Sequence, residues 1–413
     1  MRKRSIIFNV VALLVVGLLV GFASVNNAKA AAQKPLKVYS VWTGGEAKDF
    51  QLVLDKFTKK TGIDVKAVGV DTQTLKLSTL ADYEAGFTPG DVVVMPWPAR
   101  IVSDANAGHL LPVGDLYKAE NHNVSNDTVT TGGKTYGAPI KVDIKPGFWY
   151  RESFFEKHNL KEPETYDEFL NLLERISKIE GVKAPLTNAA ASGWPLSDMV
   201  EAFILRNGAS VQRGLISGQV KFDDKSVKGP MKKVLNLIEK GYFGPSRKFG
   251  IAYRYMWNGS TPLYFMGSWT PSFVQSSLNE KPTAVDFFRL PGVEGAVGST
   301  NWLTIPKYSD QVKQAKKLVE FLTSAEAQKI WAKEGGFIGT NKNIPAEAYK
   351  IPIMKQISDM AGEVTIVPDL DDSLGEPFQS TFWSQLQLLW TSPSQGTLNS
   401  VINRLNKAQA KSL

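Results

Sequence analysis

Apolar and polar residues change their period along this chain in a way that separates short strands from helices. Leu36-Lys37-Val38-Tyr39-Ser40-Val41 alternates, as a half-buried strand does. From Gly44-Gly45 onward the apolar positions Ala47, Phe50, Leu54 and Phe57 recur at three and four, which predicts a helix that Gly62 ends. Ile63 to Val70 reads as the next strand. Asp91-Val92-Val93-Val94-Met95 is a short strand of buried type, followed by a helix to Gly108. Strand–helix–strand units with short connections predict a mostly parallel sheet covered on both faces, the α/β class.

The middle of the chain is more helical. Thr165 and Glu168 have the spacing of a capping box ahead of Phe169, Leu172, Leu173 and Ile176. A second helical pattern runs from about Gln311 through Leu318 and Phe321, restarts at the N-cap candidate Ser324 and stops at Gly335-Gly336. Phe382 to Trp390 and Leu398 to Leu405 predict two more helices. No internal repeat or long low-complexity linker appears. With 413 residues there is chain for two domains, and two α/β lobes joined by several crossings account for the missing linker.

Residues 1–30 stand apart. Arg2, Lys3 and Arg4 precede a nearly unbroken apolar run from Ile6 to Ala23, and Ala28-Lys29-Ala30 has the A-x-A form of a cleavage site. This is the pattern of a cleaved export signal. A retained anchor is the alternative, since the run is about long enough to span a bilayer. Either way the body of the protein is expected outside the cytoplasmic membrane, in the periplasm or tethered at the cell surface. The segment also holds four basic residues and no acid, so 44 of the 48 lysines and arginines remain against 40 acids. A body so near neutral, without a block of like charges, argues against nucleic acid as a partner.

Composition then removes whole classes of chemistry. With no cysteine there is no disulfide scaffold, thiolate metal site, cysteine nucleophile or lipid-anchoring thiol, and only three histidines, His109, His122 and His158, are scattered along the chain. No metal or cofactor is therefore expected. Gly132-Gly133-Lys134-Thr135 resembles the end of a phosphate loop, but Thr128 stands where the first glycine belongs. G-x-G-x-x-G, G-x-S-x-G and H-E-x-x-H are absent. Asp371-Asp372, in a Pro/Gly-rich stretch, reads as a solvated loop rather than half of a glycosidase pair. No catalytic residue is assigned.

The ten tryptophans carry the functional signal. Trp42 follows the first strand in Trp42-Thr43-Gly44-Gly45-Glu46, and Trp97, with Arg100 nearby, follows the Asp91–Met95 strand. Ligands of open α/β sheets bind beyond such strand ends. Asp143 and Lys145 alternate with apolar residues just before Trp149-Tyr150. Trp194 and Asp198 share one short segment, Trp269 follows Met266-Gly267-Ser268, Trp302 follows Asn301, and Trp383 follows Thr381-Phe382. Indole faces pack on the C–H faces of a pyranose, while its hydroxyls need fixed acceptors and donors once out of water. Trp331 and Trp390 read as packing residues.

Laid out this way, the chain resembles the extracellular solute-binding proteins of carbohydrate ABC importers, the family that includes maltose-binding protein. The similarity runs over nearly everything after the signal. It is carried by Val41-Trp42-Thr43-Gly44-Gly45-Glu46, by Ala107-Gly108-His109-Leu110-Leu111-Pro112 (the family's A-G-x-L-x-P), by Gly133-Lys134-Thr135-Tyr136-Gly137-Ala138-Pro139 and by Glu334-Gly335-Gly336-Phe337-Ile338 with Asn341-Lys342. Lys141-Val142-Asp143-Ile144-Lys145 and Ser192-Gly193-Trp194-Pro195-Leu196-Ser197-Asp198 look like its α-glucoside-binding branch.

The resemblance implies a type II two-lobed periplasmic-binding-protein fold, with a ligand cleft between the lobes and several hinge crossings. It places residues 35–142 plus about 298–348 in the N-terminal lobe, and 143–297 plus about 349–413 in the other. It implies that Glu46 and Asp143 accept hydrogen bonds from sugar hydroxyls, that Trp269 and Trp383 stack on sugar rings, and that Trp97 and Arg100 line the first lobe. Trp194 and Asp198 follow from the branch motif, and Trp42 is either a stacking wall or packing behind the glycine loop. Asn301 and Trp302 lie at a second hinge crossing. The implied partners are a carbohydrate ligand and the permease subunits of an ABC transporter with their cytoplasmic ATPase, the protein itself acting as a monomer. Two other readings remain: a polyamine-binding protein of the same fold, held by cation–π contacts and acids, and a secreted carbohydrate-active enzyme.

Overall fold

The structure, a computed structural model, describes residues 34–413. The export signal expected over residues 1–30 lies outside the described residues. Leu36–Ser40 pairs in parallel with Val65–Gly69 on one side and Val92–Met95 on the other. The helix Gly44–Thr61 links the first two strands and buries Phe50, Val53, Leu54 and Phe57. Gly62 ends it at φ 73°, donating its N–H to the Thr58 carbonyl. That left-handed turn is open to glycine and strained for most other residues.

The expected mostly parallel sheet is instead mixed. Beyond Val92–Met95 the next strand is Gly295–Pro306, antiparallel to it, followed by Ala138–Lys145 and Ile338–Gly339, each antiparallel to its neighbour. The reason lies in the chain path. Ala138–Lys145 leaves this sheet and Gly295–Pro306 returns to it, so the two run in opposite directions. Thr365–Pro368 lies parallel to the first residues of the returning strand, Gly295–Gly298.

Past Lys145, Pro146 and Gly147 carry the chain into a second, antiparallel sheet. Its centre is Gly147–Arg151, flanked by Val285–Phe288 and Tyr264–Met266. Single bridges from Leu186 to Phe243 and Leu263 extend it. The helices read from the sequence surround these sheets. Glu168 N–H donates to Thr165 Oγ1 and Thr165 N–H donates to Glu168 Oε2, completing the capping box of the helix Tyr166–Ser177. Ser324 caps Ala325–Ala332, and two helices, Phe378–Thr391 and Gln395–Ser412, close the chain. Among the described residues no helix is long and apolar enough to cross a membrane.

One contact between the two halves is very tight. Gly45, in the first turn of its helix, faces the helix Thr270–Leu278 that follows the small-sheet strand Tyr264–Met266. A Cβ at Gly45 would stand 2.6 Å from Ser276 Cβ and 2.8 Å from Ser272 Oγ. Nearby, Ser272 Oγ donates to Asp49 Oδ2 at 3.3 Å.

Candidate functional site

The strand ends and the crossing strands converge on a cavity of about 170 Å³. Its walls include Trp42, Trp97, Trp194, Trp269 and Trp383, together with Glu46, Asp143, Asp198 and Asn301. Nine of the ten residues singled out in the sequence thus share one site. Arg100 is the exception: it stands outside the lining, and its Nε donates to Asp104 Oδ1 at 2.6 Å, one turn along the same helix. The i,i+4 acid holds the guanidinium to its own helix, a placement that spacing after Trp97 did not reveal.

The tryptophans differ in posture. Trp42 packs edge-on against Phe50 and Trp331, with ring centres 4.9 and 4.7 Å apart, so it belongs to the core while one edge reaches the cavity. Trp331 is packing, as expected, at 1% exposure. Trp302 is also buried, packed with Met95, Trp97 and Ile101. Trp194 stands edge-on to Trp269 at 5.8 Å and against Phe249 at 5.2 Å, making one aromatic wall of three rings. Trp383 donates its Nε1–H to Asp371 and carries the Lys76 ammonium 5.0 Å from its ring centre.

The polar groups form two buried networks along the strand Ala138–Lys145, whose alternation sends Lys141, Asp143 and Lys145 to one face. In the first, Lys141 Nζ lies 2.6 Å from Glu46 Oε1 and 2.7 Å from Asp143 Oδ1, and Asn301 Nδ2 donates to Asp143 Oδ2 at 2.6 Å. Asn301 Oδ1 has no partner among the described residues. In the second, Lys145 Nζ sits 2.8 Å from Asp369 Oδ2 and 3.2 Å from Asp198 Oδ1. These bonds tie both crossing strands and the Asp369 segment together at the cavity floor.

Asp371-Asp372 requires a correction. The pair was expected in a solvated loop, yet it lies in the short helix Leu370–Leu374, with Asp371 only 2% exposed, and both residues line the cavity. Trp383 Nε1–H, Gln379 Nε2–H and the nearby Lys145 make burial tolerable. Glu201, Asp369 and Asp371 bring carboxylate oxygens within 4.8 Å of one another. Burial raises the Asp371 and Glu201 carboxyls well above the usual carboxylate range, with Asp369 beside both. Burial also lifts Asp198 to about 8 against the pull of Lys145, whose ammonium lies 3.2 Å from its Oδ1.

At the other end, burial pushes Glu46 up to about 7 against the pull of Lys141. Between its ordinary 4.5 and that value the unfolded chain has released the proton and the folded chain retains it. Stability from this group therefore falls as pH rises through that window. Glu46→Gln is expected to flatten the midpoint-versus-pH curve between about pH 4.5 and 7, measured by thermal unfolding. An unchanged slope would reject the assignment.

Comparison with known proteins decides the family. Residues 43–329 match the bacterial extracellular solute-binding protein family. The chain belongs to it. An uncharacterized ABC transporter extracellular-binding protein of Pyrococcus horikoshii is 37% identical over 93% of this chain and 90% of its own length. The α-glucosides-binding periplasmic protein AglE of Rhizobium meliloti is 26% identical over 84% of this chain and 82% of its own. Among solved structures, the bacterial solute receptor AcbH, described as exclusively preferring β-D-galactopyranose, superposes with a TM-score of 0.81. It is 21% identical, covering 92% of this chain and 98% of its own, a likeness of fold. The solute-binding protein thus has the two-lobed architecture read from its sequence.

Proposed function

We propose that this protein captures a neutral sugar, an α-glucoside or other small oligosaccharide, outside the cytoplasmic membrane and delivers it to the permease subunits of an ABC transporter. The observation that carries the reading is one cavity walled by five tryptophans and floored by buried carboxylates and the Asn301 amide. Indole faces take the apolar sides of a pyranose, while Glu46, Asp143, Asn301 and Asp198 meet its hydroxyls. The relative from Rhizobium meliloti, named for α-glucosides, favours that class of sugar. Binding, with no turnover, is the whole act: a ligand touching both lobes stabilises the closed arrangement, and a permease that recognises closure is engaged only by the loaded protein.

The acid-rich floor, Asp369, Asp371 and Asp372, supports one competing ligand, a small polyamine. Thermal unfolding against maltose, trehalose, sucrose, maltotriose, glucose, xylose and putrescine separates the two. A ligand at a hundred times its Kd adds about 2.7 kcal/mol to stability. An upward shift with an α-glucoside is the expected result; a shift with putrescine alone would transfer the site to the polyamine class.

A further inference from the structure

The cavity is not the end of the site. A second chamber of about 600 Å³ adjoins it, and the two share Asp71, Thr72, Trp194, Phe249 and Trp383 as walls. The outer chamber alone falls within the range of roughly 300–1,000 Å³ usual for ligand clefts, and the inner one falls below it. Most of the room beside the aromatic wall therefore lies outside the inner cavity.

The chemistry changes along this path. The inner lining is rich in carboxylates, whereas the outer lining carries only two charged residues, Asp71 and Lys248. Asp71 is already committed: it caps the helix Thr72–Glu84, accepting from Gln73 N–H and Thr74 N–H at 3.1 Å and from Thr74 Oγ1–H. Lys248 is exposed. What remains around Trp383 is amide and hydroxyl, from Gln73, Ser192, Ser380, Ser384 and Gln387, with Ile251, 49% exposed, beside them. That lining suits further neutral rings and offers a polyamine a single carboxylate, Asp71, whose lone pairs already serve the helix N-cap.

We propose that the ligand is an oligosaccharide of three or more units, with one terminal ring in the inner cavity and the following rings running past Trp383 into the outer chamber. This rests on the carbohydrate reading above and adds ligand length to it.

Isothermal titration of the whole protein tests it with two ladders, glucose through maltotetraose and cellobiose through cellotetraose. In the series that binds, the trimer is expected to bind at least tenfold more tightly than the dimer. Ser384→Trp, at an exposed position of the helix Phe378–Thr391, fills the outer chamber and is expected to erase that gain, so that dimer and trimer bind within about twofold of each other. Gln73→Ala, on the opposite wall, is expected to lose part of it. A dimer or monomer bound as tightly as the trimer, or a gain that survives both substitutions, overturns the proposal while the sugar reading stands. If neither ladder binds while trehalose, sucrose or xylose still raises the unfolding midpoint, the proposal on length is overturned and the sugar reading stands; if no sugar acts in either assay, the sugar reading itself is overturned.

Discussion

Trp269→Ala is expected to weaken sugar binding by about 1–3 kcal/mol, or roughly 5- to 150-fold, the scale of one lost aromatic wall. The indole sits at the N-cap of the helix Thr270–Leu278, with Trp194 edge-on at 5.8 Å and the Lys141 ammonium 6.0 Å from its ring centre. Gly267 makes its seat, since a Cβ there would come within 2.2 Å of the ring. Removing the ring also opens space beside Trp194, so the remaining wall loses its support. Titration against the sugar that raises the unfolding midpoint measures the effect. Parent-like affinity in Trp269→Ala would remove this residue from the site.

The largest effect on stability is expected from Lys145→Met. The lysine side chain is 4% exposed and is the shared cation of Asp198 and Asp369. Burial opposes its charge, but these two carboxylates outweigh that and raise its pKa well above the ordinary value. Removing one partner from a buried ion cluster leaves the others without compensation, at a cost of about 3–5 kcal/mol. Denaturant unfolding should show the midpoint falling with little change in slope. If the midpoint stays put, protons rather than Lys145 neutralise the cluster.

The parts of the fold legible in the sequence were those set by local periodicity. The helix ending at Gly62, the Thr165–Glu168 capping box and the Ser324 cap are decided within a few residues of chain. The strand Ala138–Lys145 showed its face by alternation, so Asp143 and Lys145 could be placed together. Sheet direction was not legible, because it depends on where the chain leaves the large sheet and returns, more than 140 residues apart. Arg100 and Asp371 failed for a related reason. Whether a charge faces solvent, a helical neighbour or a cleft depends on partners distant in sequence or one turn away, such as Trp383 for Asp371 and Asp104 for Arg100. Glu201 gave no sequence signal at all. Its place beside Asp369 and Asp371 follows from a helix packing across 169 residues of chain, where Leu370 N–H donates to Glu201 Oε2.

The contact at Gly45 has a mechanical consequence. Where the first helix meets Ser272 and Ser276, Gly45 offers bare backbone, with no room for even a methyl group. Any side chain there wedges the helices Gly44–Thr61 and Thr270–Leu278 apart at a point outside the cavity lining. A substitution at Gly45 is thus expected to lower affinity from outside the pocket, by the spacing it forces on these two helices.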